Sequence, residues 1–232
     1  MAAADRAAHT ATTPTGAEVL RSAYADVVDT LRGISEEQSW LPTGCTGWTV
    51  RDLLFHLLRD AQRALVALAS PAGTDPDTDA ISYWRSRKPD RDPRQYNLRM
   101  TRISASVYST IGPLLDEFAE TSAAAAYAAA VTPARRAVRT QGHVILVEEL
   151  VRTLIVEAAI HHLDMVVVLD RPGPSAAALR VVRATLDGLL GEPMPLEVDD
   201  ATYARLGTGR RWLTTEQRHA LGPRAHHFPM LS

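Results

Sequence analysis

Glu157, His161 and Asp164 are polar residues inside a run of apolar residues, "VEAAIHHLDMVVVL". At about 100° per residue on a helix, His161 lies about 40° and Asp164 about 20° from Glu157, so the three share one face. A carboxylate and an imidazole at i and i+4 converge on one point, and both are ligands of divalent metal ions. His162 points about 140° away from Glu157 and is a poor member of the group.

A structural role for the same residues stays open at this point. Burying a carboxylate is unfavourable unless a partner, a proton or a cation compensates it, and a Glu157–His161 hydrogen bond or ion pair would serve as well as a metal ion. Asp164 either orients His161 by accepting a hydrogen bond or caps a neighbouring donor.

A metal site needs a third ligand from another helix, and His56 is the candidate. Its spacing is less persuasive, because it lies beside the apolar stripe of its helix. On spacing alone, a half-exposed histidine paired with Asp52 or Asp60 is favoured.

Three further residues invite a chemical role. Cys45, the sole cysteine, is more readily interpreted as a buried or half-exposed thiol than as a ligand or nucleophile. Arg210 and Arg211 suit an acidic group on a thiol or substrate, since a guanidinium matches a carboxylate in bidentate fashion. Arginines in a polar tail are also commonly just solvated.

Most of the chain has helical periodicity, so the candidate residues are expected to be positioned by helices. The predicted helices span 15–31, 50–69, 92–131, 144–169 and 176–190. Thr49 and Asp52 are spaced as a capping box for the second helix, and Gly112-Pro113 marks a kink or break in the third. Strand alternation is not evident before residue 195, so a helical bundle is expected.

Two segments lie outside these helices. Residues 70–92 are rich in Pro, Asp and Arg, which predicts an exposed connection with a short helical turn at 81–85. Residues 1–14 lack the charged head and apolar stretch of a signal peptide and are expected to be a flexible leader.

Composition excludes some classes of function. A formal charge of -2 gives no strong field for nucleic acid or for an anionic membrane, and no window is apolar for long enough to span a bilayer. A single cysteine leaves no intramolecular disulfide and no cysteine metal cluster, which fits a reducing, cytoplasmic compartment.

The segments "GWTVRDLLFHLLRDAQRA" (47–64) and "VEAAIHHLDM" (156–165) together resemble the DinB-like superfamily, specifically the maleylpyruvate isomerase N-terminal domain family of mycothiol-dependent metalloenzymes. In that family a W-T-V-R-D entry leads to a ligand histidine, and an E-x3-H-x2-D motif supplies two more ligands. The matching residues are His56, Glu157 and His161, with Asp164 as the trailing acid. The tail, with its T-G-R-x-x-L-T run, is similar to family endings.

The resemblance implies an all-α, DinB-like four-helix bundle that holds a divalent metal, usually zinc. We expect the bundle with its site in residues 15–172. A C-terminal extension, 173–232, formed of helix or a small hairpin, would complete or cover the site. In the family the metal activates a thiol, often mycothiol, and the arginine-rich composition is compatible with a mycothiol producer of GC-rich genome.

The resulting hypothesis is a cytoplasmic mycothiol-dependent S-transferase whose partners are a small-molecule thiol and a small electrophile, acting as a monomer or homodimer without nucleic acid or membrane. A maleylpyruvate-type cis-trans isomerase is the first alternative. A non-catalytic binding or pathway-partner protein with a structural metal site is an alternative of another class. A ferrous oxygenase site has similar ligands, but the helical pattern argues against it.

Overall fold

The computed structural model describes residues 13–85 and 93–231, with only the backbone described for residues 93–97. Most of the expected leader, residues 1–12, and the end of the expected connection, residues 86–92, lie outside the described residues. The elements in chain order are α1 (Gly16–Leu31), α2 (Glu36–Ser39), α3 (Val50–Leu68), α4 (Ser82–Arg85), α5 (Pro93–Ala105), α6 (Ile111–Val131), β1 (Ala137–Thr140), β2 (His143–Leu146), α7 (Val147–Met165), α8 (Ala176–Leu190), α9 (Asp200–Gly207), α10 (Thr215–Leu221) and a 3-10 helix (Gly222–His227).

Helices α1, α3, α6 and α7 form a four-helix bundle, which confirms the predicted fold class. Around the bundle, α1 packs on α6 and α7, and α3 packs on the same two helices. Each fully buried leucine stabilises the fold by about 2 kcal/mol, so the apolar core can hold polar residues in place. The fully buried core includes Leu20, Val27, Leu54, Leu57, Leu114, Phe118 and Ile155.

The start of α3 has the predicted capping box, and the start of α1 has one that was not predicted. The Thr49 side chain accepts a hydrogen bond from the Asp52 backbone N–H, and the Asp52 carboxylate accepts one from the Thr49 backbone N–H. This pair of hydrogen bonds is a capping box. Thr15 and Glu18 form another at the start of α1. The Thr49 box fixes the register of α3, and therefore the height at which His56 meets α7.

A β-hairpin, missed by the sequence analysis, lies directly before α7. Strands β1 and β2 pair in antiparallel register from Ala137↔Leu146 to Thr140↔His143. The loop between them is Gln141-Gly142, with φ values of 46° and 84°, and two positive φ values favour a tight two-residue hairpin turn. The prediction that a helix begins at residue 144 was therefore wrong: α7 begins at Val147.

The helix predicted over 92–131 is two helices, and the predicted position of the break was wrong. Residues 106–110 separate α5 from α6, whereas Gly112 and Pro113 lie in the first turn of α6. Proline is tolerated there because the first backbone N–H groups of a helix have no intrahelical partner in any case.

The C-terminal part of the chain is helical. Helix α8 has the predicted bounds, and residues 173–231 contain helices and no strand, so the hairpin considered for the tail is absent from that range. Helices α8 and α9 pack on each other and both contact α7. No helix within 13–85 and 93–231 combines the length and apolarity that crossing a membrane requires.

Candidate metal centre

His56 on α3 and Glu157 and His161 on α7 meet where the two helices pack together. Nε2 of His56 lies 3.5 Å, and Nε2 of His161 lies 3.2 Å, from Oε2 of Glu157. One donor atom from each residue lies within 4.8 Å of the other two. Ligand atoms of a tetrahedral zinc ion are roughly 3.3 Å apart, given bonds of about 2.0 Å, so this donor set fits such an ion after small shifts.

Electrostatics in the site favour a cation between the carboxylates. Burial alone would raise the pKa of Glu157, but hydrogen bonds with His161 and His56 outweigh it and hold that pKa well below its usual value. Burial would lower the pKa of His161, but hydrogen bonds to Asp164 and Glu157 outweigh it and raise the pKa to about 9. A divalent metal ion would replace the proton that these carboxylates otherwise hold on His161.

Asp164 contacts the ring of His161. Its Oδ2 lies 3.1 Å from Nδ1 of His161, and its side chain is only 1% exposed. Burial alone would raise the pKa of Asp164, but the hydrogen bonds and charges of His161 and Arg210 outweigh it. The pKa of Asp164 therefore lies below its usual value. When Nδ1 donates its hydrogen to Asp164, the lone pair of Nε2 is left to face Glu157 and any ion between them.

Arg210 contacts Asp164 rather than standing free for a ligand. Its Nε lies 3.1 Å from Oδ1 of Asp164, its Nη2 lies 3.0 Å from Oδ2, and its Nη1 donates to the Thr208 carbonyl at 2.9 Å. Arg211 is exposed and makes no side-chain ion pair with a described residue. For both arginines the role in thiol or substrate binding stays a prediction, and Arg210 has an observed partner that the sequence did not indicate.

Trp48 packs against both histidine rings, a contact that the sequence analysis missed. Its ring centroid lies 5.0 Å from that of His56 in an edge-on arrangement and 6.3 Å from that of His161, with planes only 6° apart. Trp48 directly precedes Thr49, the N-cap of α3. The indole therefore lies beside both imidazole rings of the candidate ligand group.

The structure decides between the two acidic partners considered for His56. Asp52 accepts from the backbone and hydroxyl of Thr49 at 2.9 and 2.8 Å and serves as the helix cap. Asp60 places Oδ2 at 3.3 Å from Nε2 of His56, the same nitrogen that faces Glu157. One imidazole nitrogen therefore meets two carboxylates.

Cys45, His161 and Asp164 form a second group of close donor atoms, also within 4.8 Å. This set is the weaker one for a metal, because both oxygens of Asp164 already accept from Arg210. Burial, followed by the charge of Asp164, raises the pKa of the Cys45 thiol to about 11, so the sulfur stays protonated at neutral pH.

Comparison with known proteins gives one match. A family model described as mycothiol maleylpyruvate isomerase N-terminal domain matches residues 20–166. That range contains His56, Glu157, His161 and Asp164, and it ends before Arg210. The curated proteins and the solved structures gave no match.

Proposed function

The chain belongs to the mycothiol maleylpyruvate isomerase N-terminal domain family, and we propose that it is a metal-dependent S-transferase. It uses a small thiol, mycothiol, to modify a small electrophilic molecule. The observation that carries the proposal is the approach of two imidazole nitrogens, on His56 and His161, to one carboxylate oxygen of Glu157. These residues would hold a divalent ion, zinc, with coordination positions left for a ligand.

The charge in the site supports an anionic sulfur ligand. Asp164 pairs with Arg210 and Asp60 pairs with Arg63, so each acidic side chain brings its own counter-charge. Two neutral imidazoles and the carboxylate of Glu157 would together contribute one negative charge around a divalent ion. The net charge of +1 that remains would be neutralised by one thiolate. A bound cation lowers the pKa of a coordinating thiol, so the thiol is supplied as a nucleophile at neutral pH.

The protein residues have separate tasks in this reaction. His56, His161 and Glu157 would hold the ion, Asp164 would fix the tautomer of His161 by accepting from its Nδ1, and Trp48 would pack beside the two imidazoles. The bound ion would supply thiol deprotonation, with the proton passing to solvent. The thiol sulfur then forms a bond to an electrophilic carbon, while the bond from that carbon to the leaving group breaks and the leaving group keeps the electron pair.

A cis-trans isomerase is the second candidate, and the description of the matching family favours it. A thiolate that adds to a double bond allows rotation about the resulting single bond and then departs, so isomerisation consumes no thiol. S-transfer consumes one thiol for each product formed. Counting free thiol during turnover therefore separates the two reactions.

Metal content and thiol binding test the proposal together. We expect purified protein to retain about one zinc ion per chain and His161→Ala and His56→Ala to lose it, because two remaining ligands hold an ion poorly. His219→Ala, which alters an exposed histidine in α10, is the matched control and should keep the ion.

Two results would contradict the proposal. Equal metal content in wild type and His161→Ala would show that His161 is not a ligand and that the proposed metal site is wrong. Bound metal with no affinity for a thiol in calorimetry would instead favour a non-catalytic protein with a structural ion.

A further inference from the structure

A cavity of about 110 Å³ lies between α7 and the residues at the end of α9 and just after it. One water molecule needs roughly 10–15 Å³ on the same measure, so the cavity has room for a small organic molecule. From α7 it is lined by Ile160, Leu163 and Val167, which recur at helical spacing and form an apolar wall. The cavity therefore offers both space and a surface suited to a short hydrocarbon chain.

The same cavity carries a positive charge without a counter-charge. Its charged lining residues are Asp164, Arg205 and Arg210, so their charges leave a net charge of +1. Arg210 is paired with Asp164. The side chain of Arg205 is partly buried and makes no ion pair or hydrogen bond with the described part of the chain. A cation that is partly removed from water and has no partner attracts an anion.

The side chain of Arg205, rather than its backbone, is available to line the cavity. Arg205 lies within α9, and its carbonyl oxygen accepts hydrogen bonds from the backbone N–H groups of Arg210 and Arg211 at 2.8 and 3.0 Å. The chain that follows α9 therefore covers the backbone of Arg205. Its guanidinium is the group that an anion in the cavity would meet.

The cavity is separate from the candidate metal centre, but Asp164 lies between the two. The described residues that line the cavity do not include His56, Glu157 or His161. Oδ2 of Asp164 lies 3.1 Å from Nδ1 of His161. Oδ1 lies on the side of Gly44, a lining residue, where an added Cβ would be 2.9 Å from it. A ligand in the cavity would therefore lie next to the carboxylate that contacts His161, without touching the ion.

We propose that this cavity is an accessory binding site for a small carboxylate with a short apolar chain, and that its occupation strengthens metal binding. The carboxylate pairs with Arg205, and the chain lies on the apolar wall. Pairing compensates a positive charge beside Asp164, and less positive charge near a cation site favours the cation. By linkage, the ion strengthens carboxylate binding by the same factor. This second part rests on the proposed function, since it presupposes an ion held by His56, Glu157 and His161.

Butyrate is the probe, and calorimetry on the metal-free, full-length protein measures its binding without any ion. We expect a dissociation constant of about 1 mM, which is usual for so small a ligand. Butyramide has nearly the same shape without the charge, and chloride has the charge without the chain. Both should bind at least about tenfold more weakly than butyrate.

Two substitutions locate the site. Arg205→Gln should weaken butyrate binding at least about tenfold, because it removes the guanidinium charge, and it breaks no ion pair with a described residue. Val167→Glu places a carboxylate in the apolar wall at a position that is 59% exposed and tolerates charge, and it should weaken butyrate binding by repulsion. Arg218→Gln, the same change at an exposed position in α10, should leave butyrate binding unaltered.

Chelator competition for zinc, with and without about 10 mM butyrate at constant ionic strength, measures the coupling to the ion. Butyrate should increase the zinc affinity of wild type about fivefold, at the low end of the usual range for coupled sites. It should leave the zinc affinity of Arg205→Gln unchanged. An equal increase in Arg205→Gln would mean that butyrate binds the ion itself and would overturn the coupling.

The remaining outcomes separate this inference from the proposed function. Equal butyrate affinity in wild type, Arg205→Gln and Val167→Glu would overturn the site, as would equal affinity for butyramide. Butyrate binding that leaves the zinc affinity of wild type unchanged would overturn the coupling. Butyrate binding to a protein that holds no zinc would support the site and refute the proposed function. Zinc retention without butyrate binding would overturn this inference and leave the proposed function standing.

Discussion

Replacing Asp164 by Asn should weaken metal binding and destabilise the metal-free protein through two separate contacts. Asp164 is nearly fully buried and accepts from Nδ1 of His161 at 3.1 Å and from two nitrogens of Arg210 at 3.1 and 3.0 Å. An asparagine side chain retains the volume but loses the charge. It can also donate to His161, which would favour the wrong tautomer for metal binding.

The magnitudes follow from these contacts. Loss of a hydrogen-bond partner behind a metal-bound histidine typically reduces metal affinity by about 10- to 100-fold, or about 1.4–2.7 kcal/mol. Removing one member of a buried ion pair costs about 3–5 kcal/mol. The Arg210 side chain is 18% exposed and keeps some solvent contact, so the lower end of this range applies. We expect the substitution to decrease the free energy of unfolding of the metal-free protein by about 3 kcal/mol.

Chelator competition gives the zinc affinity, and urea denaturation of the metal-free protein gives its stability. Asp170→Asn, at an exposed position after α7, is the control for the same chemical change. Asp164→Asn combined with Arg210→Met should recover part of the lost stability, since no unpaired guanidinium remains, but should not recover the metal affinity. Wild-type zinc affinity in Asp164→Asn would refute the idea that Asp164 prepares His161 for the ion.

Three other substitutions test neighbouring features. Gly44→Ala should lower the zinc affinity measured by chelator competition. A Cβ at this position would lie 2.9 Å from Oδ1 of Asp164 and would displace that carboxylate. Unchanged affinity would mean that the carboxylate has room to move. Cys45→Ser should keep the metal content of wild type by elemental analysis, and loss of the ion would instead favour the group that contains Cys45. Burial lowers the pKa of His162 to about 4 from 6.5, so the unfolded chain binds the extra proton between these pH values. As pH falls from about 6.5 to 4, the metal-free wild type should therefore lose about 3 kcal/mol more stability than His162→Gln, measured by urea denaturation at each pH.

Local sequence determined the helices that carry the site. The capping box of Thr49 and Asp52 involves residues three positions apart, so the start of α3 was readable without the fold. The shared face of Glu157 and His161 likewise follows from helical periodicity. The β-hairpin also had a local signal, Gln141-Gly142 between β-branched residues, which the helical interpretation of the neighbouring segment overrode.

Family resemblance supplied what periodicity could not. The spacing of His56 favoured a surface pairing, and only the similarity of two distant segments made it a predicted ligand. The structure then placed it 3.5 Å from Glu157, a separation of 101 residues along the chain. The sequence allowed His56 to pair with either Asp52 or Asp60. In the structure Asp52 caps α3 and Asp60 is the partner that lies near His56.

The surroundings of the ligands were decided by tertiary structure alone. Arg210 contacts Asp164 although 46 residues separate them along the chain, and Trp48, which precedes α3, lies with its ring nearly parallel to that of His161 on α7. Backbone periodicity specifies which residues share a face of one helix. Which side chain of another element meets that face depends on how the elements pack, and the apolar core of the whole bundle sets that packing.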